Sequence, residues 1–269
     1  AVCAGGLGLL VLSMYEHIPE ASKLIKQINC SLNPFIKHLD KTAGGWAEGI
    51  GYWNYGMTYA FRYILSWEKA ISQPHPVKKA KGLFQTLGFP LDFCPHGNPC
   101  SFGDSNKWNP TSVHYDMARS LKNKKVCASL ENAFQNIEPE NNRGQKSELL
   151  LLYPEKLKDP AQPRSKSGYS KIYKGLDWSV LADSETNPGL HMAIRGGTTG
   201  VPHGHRDLMS FYCTVGKECL VTNITPADYL DTTFSPRRHE LFEIGPCSKN
   251  SIFINGVGID NDVCLKSAS

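Results

Sequence analysis

No run of apolar residues in this chain is long enough to cross a bilayer, and no CxxC pair occurs anywhere in it. The longest apolar stretch, AVCAGGLGLLVLSMY at residues 1–15, is too short to span and has no basic segment before it. The second absence excludes a zinc ribbon. Nine cysteines, an odd number, are scattered singly and do not make a dense disulfide scaffold either. Cys94 and Cys100 lie close enough in sequence to bridge across a Pro/Gly loop, but free, buried thiols are the expected state for most of the nine. An excess of one charge is lacking as well. A formal net charge of +4 over 269 residues is far from the footprint of a nucleic-acid-binding protein, though it suits an acidic ligand. Beyond a loose pairing of helices there is no short-period repeat.

What is present is globular in composition: 41% hydrophobic and 20% charged residues, enough for one large or two ordinary domains. The opening stretch reads as an interior helix, so the sequence is expected to be a fragment that lacks the N-terminal part of its protein. Residues 4–15 are apolar nearly all round, as in a buried helix. Ala21, Leu24, Ile25, Ile28, Leu32, Ile36 and Leu39 then recur at helical spacing, with Pro34 expected to kink or split the run. A long helix follows over about 47–72, a shorter one over 77–87, a Pro/Gly/Asn/Cys-rich loop over 89–112, and two modest helices near 112–121 and 125–135. Residues 136–168 are polar and proline-containing and read as a linker with a short helix around Leu149–Tyr153.

From Tyr169 the period changes to two. Strands are expected over 170–173, 178–183, 190–195, 208–215, 218–222 and 251–255, with tight turns at Gly216-Lys217 and Asn255-Gly256. Strands joined by short turns, with no helix between them, form an antiparallel sheet. The expected division is therefore a helical domain over 1–135, a linker over 136–168 and an antiparallel β-sheet domain over 169–269.

Two constellations carry chemistry. In GGTTGVPHGHRDLMSF, residues 196–211, His203 and His205 are two apart. In an extended segment they project to one face with Asp207 in line behind them, and three titratable side chains on one face suit a metal, a proton relay or an anionic ligand. In GGWAEGIGYWNY, residues 44–55, Trp46, Tyr52, Trp53 and Tyr55 crowd around Glu48. Aromatic faces with a carboxylate among them suit the C–H faces and hydroxyls of sugars, although Trp53 and Trp67, at helical spacing, are better read as core. Gly49 and Gly51 each cost a helix about 1 kcal/mol relative to alanine, so packing or a ligand must require them.

Together these motifs resemble the heparinase II/III-like family of polysaccharide lyases. The resemblance runs through AVCAGGLGLLVLSM, GGWAEGIGYWNYG, the loop GFPLDFCPHGNPCSFGDS with its Asp104, IYKGLDWSVLAD, AIRGGTTGVPHGHRDLMSFY and KNSIFINGVGI, in that order. It implies an α+β multidomain fold: an incomplete (α/α) toroid followed by an antiparallel β-sandwich-like domain, lacking the N-terminal part and the C-terminal end. It implies β-elimination on a uronic-acid-containing acidic polysaccharide, a glycosaminoglycan or alginate, in a periplasmic or secreted protein. Such chemistry removes the proton at C5, beside the carboxylate, and breaks the bond from C4 to the glycosidic oxygen, so it needs a base, an acid and a way to neutralise the carboxylate. The motif match places Tyr52, with Tyr55 second, and His203 in the proton transfers. Trp46, Glu48, Arg195 and Arg206 fall to substrate binding. The family's Asn or His that pairs the uronate lies upstream of the opening helix, so no residue here takes that role.

The resemblance also implies a structural zinc, and there the sequence departs from the pattern. The three ligand positions fall on His205, Asn223 and Lys249, where the family has His, Asp and His. An amide is a weak zinc ligand and a lysine ammonium is none. Asp228 or His239 are substitutes that spacing does not single out. Lys249 is expected instead to place its ammonium where the metal charge was, pairing with Asp228 or with substrate. The residues leave two alternatives open: a catalytically impaired glycan-binding relative, and a uronate C5-epimerase that shares the proton abstraction.

Overall fold

A computed structural model describes residues 1–104, 107–135, 168–185 and 188–265. Most of the expected linker, with its short helix, lies outside them. The chain forms two compact units. One comprises Ala1–Gly44, Trp53–Gly88 and Asn109–Gln162; the other comprises Gly45–Tyr52, Phe89–Trp108 and Pro163–Ser269.

The first unit is helical among its described residues. Helix α1 (Val2–Ser13) buries only the stripe Gly5, Gly8 and Val11, with Gly5 against Tyr59 and Gly8 against Tyr63. Leu7 and Leu10 are exposed, so α1 is not buried all round. Helix α2 (Ala21–Lys41) buries Ala21, Ile28, Leu32, Ile36 and Leu39 and continues unbroken through Pro34, which does not split it. An internal proline costs a helix about 3 kcal/mol. Here its ring lies on the exposed face, and the buried stripe on either side, Leu32 and Ile36, holds the helix together. In place of one helix over 77–87 there is a 3₁₀ turn at Pro76–Lys79, followed by α4 (Lys81–Thr86).

Helix α3 (Gly49–Ile71) buries Trp53, Met57, Ala60, Phe61 and Ile64. Trp53 is core, as its spacing indicated, and its indole N–H donates to Thr86 Oγ1 at 2.7 Å. Trp67 packs edge-on against the His75 ring. Helices α6 (Ser112–Ser120) and α7 (Lys124–Gln135) complete the described part of the unit, α6 being capped by the Thr111 hydroxyl, which accepts from the His114 amide. No helix among the described residues is long and apolar enough to cross a membrane.

The second unit is built on one five-stranded antiparallel meander in sequence order: β1 (Tyr169–Tyr173), β2 (Trp178–Ala182), β3 (Leu190–Arg195), β4 (Phe211–Val215) and β5 (Glu218–Val221). Period two is visible in the register. Tyr173 pairs with Trp178, Trp178 with Arg195, and Ala193 with Tyr212, all on the buried face. Against them pack Phe89, Phe93 and Phe102 from the loop expected over 89–112, which holds a short helix, α5 (Phe89–Asp92). Such aromatic pairs contribute about 0.5–1.5 kcal/mol each beyond the area they bury. Asp92 adds a polar anchor, accepting from Tyr169 at 3.1 Å, from Lys171 at 2.8 Å and from Tyr173.

Two expectations change here. Leu208 to Ser210 are not strand, so β4 begins at Phe211. Residues 251–255 form no strand; only Ile254 bridges to Val257, across a turn in which Asn255 and Gly256 both have positive φ. All nine cysteines are free, but only Cys94, Cys100 and Cys127 are buried.

Candidate active site

The site assembles within the second unit from four segments far apart in sequence. The aromatic core fixes the loop that ends at Asp104, with Phe102 against Trp178 and Tyr212. Gly103, with φ +130, then brings that loop onto two others: a Cβ there would lie 3.0 Å from the His203 carbonyl and 3.4 Å from that of Glu48. Only glycine adopts this backbone freely. Asp104 N–H donates to the His203 carbonyl, so the two loops are hydrogen-bonded before any side chain acts. Gly49 opens α3 at φ +88, where an added Cβ would lie 3.2 Å from the Phe102 carbonyl, so backbone conformation and packing both call for glycine there.

His203 and His205 are not placed by strand alternation. Residues 201–210 are loop, and His203 sits in the left-handed region at φ 58, a conformation that persists only where the surroundings enforce it. What joins the two rings is the Asp104 carboxylate. Its Oδ2 lies 3.1 Å from His203 Nδ1 and its Oδ1 lies 2.9 Å from His205 Nε2. Arg238 donates to the same Oδ1 at 2.5 Å. Burial alone pushes the Asp104 carboxyl up, but hydrogen bonds from His203, His205 and Arg238 outweigh it and hold it well below the usual carboxylate range. An ionised Asp104 can only accept, so His203 donates to it from Nδ1, which leaves Nε2 3.7 Å from Glu48 Oε2.

Tyr52, on the first turn of α3, stacks face to face on His203, with ring centroids 3.8 Å apart. Its phenol hydrogen-bonds that of Tyr229, and Phe234 stands edge-on to His203 and tilted against the Tyr229 ring. Burial, the Tyr229 hydrogen bond and the negative charges of Asp104 and Glu48 together raise the Tyr52 phenol far above its ordinary value. Tyr52 therefore stays protonated at neutral pH. Glu48 is also raised, by burial, with the nearby His203 opposing. One half-buried cluster thus holds a protonated phenol, an imidazole oriented by a buried carboxylate, and a second carboxyl group.

The other expected residues lie elsewhere. Tyr55 is exposed and meets Tyr59 edge-on. Trp46 is half-buried in the turn before α3. Arg195 is 1% exposed and paired with Asp207 at 2.9 Å beneath the sheet, with its guanidinium over Trp178. That geometry gives Arg195 an internal partner in place of an acidic sugar, and gives Asp207 a structural task in place of a position behind the histidines. Arg206 is tied to Asn261 at 2.9 Å and to Asp260 at 3.5 Å.

The zinc positions do not fit a metal. His205 Nδ1 is buried without a partner, which is the atom a metal would satisfy. Its neighbours cannot complete a ligand set. The Asn223 amide donates to Ser210 Oγ and accepts from the Asn250 amide. The Lys249 ammonium donates to the carbonyls of Ile224 at 2.5 Å and Glu243 at 2.6 Å, not to Asp228 or a ligand. Burial lowers Lys249 to about 8. Asp228 and His239 are exposed. Among the described residues no group of three or more His, Cys, Asp or Glu is arranged to hold a metal.

Arg238 and Tyr229 were not singled out by sequence. Arg238 sits in SPRRHE, where nothing distinguishes it from its neighbour Arg237, and Tyr229 is a lone aromatic in a polar loop.

No protein-family model matches this chain, and no curated protein matches it in sequence. Solved structures do. A heparinase III gene product aligns over 96% of this chain and 37% of its own length, with a TM-score of 0.65 at 14% identity. A crystal structure of heparinase III aligns over 99% and 40%, with a TM-score of 0.59 at 12% identity. Heparan sulfate lyase from Pedobacter heparinus aligns over 84% and 32%, with a TM-score of 0.53 at 12% identity. The chain thus spans about a third to two fifths of these proteins. Likeness at this identity establishes the fold: α+β, helices followed by an antiparallel sheet, similar to that of heparinase III.

Proposed function

We propose that this chain belongs to a polysaccharide lyase that cleaves a uronic-acid-containing acidic polysaccharide, of the glycosaminoglycan kind, by β-elimination. One observation carries the reading: the Tyr52 phenol stacked on His203, whose imidazole is oriented by the buried Asp104, in a fold like that of heparinase III. His203 Nε2 takes the C5 proton, and the imidazolium that forms is stabilised through Nδ1–H by Asp104. Tyr52, held protonated, gives its proton to the leaving glycosidic oxygen. A base and an acid of this kind each contribute roughly 10²–10⁴-fold. Trp46 and Glu48 contact the sugar. Arg206 is the remaining cationic candidate for the acidic chain. No step runs through a metal.

At the level of architecture we propose that the helices belong to an (α/α) toroid and the sheet to a β-sandwich-like domain. The division at 1–135, 136–168 and 169–269 carries the qualification that Gly45–Tyr52 and Phe89–Trp108 group with the sheet. A polysaccharide substrate places the protein in the periplasm or outside the cell.

The test is the ultraviolet absorbance of an unsaturated uronate, followed while the full-length protein is offered a panel of acidic polysaccharides. A rise that Tyr52→Phe lowers at least a hundredfold supports the reading. The glycan-binding alternative rests on Asn223 and Lys249 and predicts binding with no rise. A C5-epimerase predicts exchange of the C5 hydrogen, also with no rise.

A further inference from the structure

Tyr52 cannot act twice without a new proton. Elimination leaves its phenolate beside Asp104 and Glu48, whose charges already oppose deprotonation. Its hydrogen-bond partner is the phenol of Tyr229, which is 49% exposed. Tyr229 is held in place deliberately by the fold. Thr233, 1% exposed, closes a turn by accepting from the Leu230 amide at 2.8 Å. Arg238 then fastens the segment, donating from one terminal nitrogen to the Thr233 carbonyl at 3.2 Å, and from the other to Gly204 at 3.1 Å and Asp104 at 2.5 Å. The carboxylate that orients His203 therefore also anchors the loop that carries Tyr229. Phe234 packs between the Tyr229 and His203 rings.

Resting on the lyase reading, we propose that Tyr229 is the proton relay that resets Tyr52 between turnovers. In the elimination, the C5–H bond breaks to His203 Nε2 and the Tyr52 O–H proton passes to the leaving oxygen, which leaves an imidazolium and a phenolate. In the reset, the Tyr229 O–H bond breaks as the Tyr52 O–H bond forms, and the Tyr229 phenolate takes a proton from water or a buffer acid. His203 returns its proton to solvent, so the enzyme ends as it began. Tyr229 meets water on one side and Tyr52 on the other, whereas Tyr52 is less exposed and has one ring face covered by His203. Tyr229 acts through Tyr52 and is a positioning residue, not a group that touches the sugar.

The experiment uses the full-length protein and a uronate polymer that the wild type cleaves. A wild type that produces no unsaturated uronate from any polymer overturns the lyase reading, and the relay with it, before any variant is compared. With an active wild type, Tyr229→Phe keeps the ring against Phe234 and removes the hydroxyl that would pass the proton. The relay predicts a single-turnover rate within about threefold of wild type and a steady-state kcat at least tenfold lower. It also predicts that small buffer acids such as imidazolium restore kcat in proportion to their concentration. Phe234→Leu loosens the same segment but keeps the phenol, so its kcat falls without buffer rescue. An unchanged kcat in Tyr229→Phe refutes the relay and leaves the lyase reading standing. So does an equal loss in single turnover and steady state with no response to buffer.

Discussion

Asp104→Asn is the substitution with the most to say about this site. The side chain is 0% exposed and accepts from His203, His205 and Arg238 at once. An amide of the same shape has one acceptor oxygen. Its NH₂ must face either His203 Nδ1 or His205 Nε2, which forces that ring to give up the proton it carries now. Arg238, with a side chain 14% exposed, loses its carboxylate while staying half-enclosed. Removing one partner of a buried charged pair costs about 3–5 kcal/mol. Urea denaturation should therefore show a loss of about 3 kcal/mol, a large share of the 5–15 kcal/mol by which domains are stable. Catalysis should fall further, by roughly 10²–10⁴-fold, because His203 is no longer held with Nε2 free. The pH dependence has a definite sign. The folded carboxyl titrates below its unfolded value of about 3.9, so its stabilising contribution is present above that pH and is lost as the pH falls through the folded value. A variant within 0.5 kcal/mol of wild type by urea, with activity within threefold, would refute the account of Asp104 as the site's organiser.

Other expectations follow from the same geometry. Gly103→Ala places a methyl 3.0 Å from the His203 carbonyl at φ +130, so we expect a loss of about 1–3 kcal/mol by urea denaturation and a larger fall in activity than in stability. His75 and His114 are buried and held at about 4, desolvation being the main cause in both. The unfolded chain protonates them near 6.5 while the folded one resists, so each should remove on the order of 3 kcal/mol as the pH falls from 6.5 to 4. Urea midpoints measured across that range check this, and a flat profile contradicts it. Because Asn223 and Lys249 are engaged with protein groups, purified full-length protein should lack stoichiometric zinc, and chelation should leave its Tm unchanged. Lys249→Met leaves two carbonyls without their donor and should cost about 1–3 kcal/mol by urea, with little effect on kcat.

Much of the fold was legible because periodicity is local. The change from helical spacing to alternation at Tyr169 marks where β1 begins, and the Gly216 hairpin and the Asn255-Gly256 turn lie where their chemistry put them. Errors arose where a tertiary contact overrides a local rule. Pro34 stays within α2 because its ring faces outward and the buried stripe holds the helix on both sides. The histidine pair reads as extended, yet His203 takes a left-handed turn because Gly103 and Asp104 are docked against it. The candidate cluster was legible at Tyr52, His203 and Glu48, which the structure brings together, because glycine and aromatic residues gather there in an unusual way. It was not legible at Tyr229 or Arg238. Arg238 reaches a carboxylate 134 residues away in sequence, and no local pattern encodes so distant a partner. Arg195 misled for the complementary reason: an arginine at the end of a strand looks available, and only the register with Trp178 shows that it faces inward.

The central claim, elimination by a Tyr52 and His203 pair, is tested most directly by proton NMR of a uronate polysaccharide incubated with the full-length protein in deuterated water. The account predicts a vinylic H4 signal from new chain ends, with the surviving polymer undeuterated at C5, and loss of that signal in both Tyr52→Phe and His203→Gln. Deuterium appearing at C5 in polymer of unchanged length, with no vinylic signal, would contradict elimination and assign the site to epimerisation.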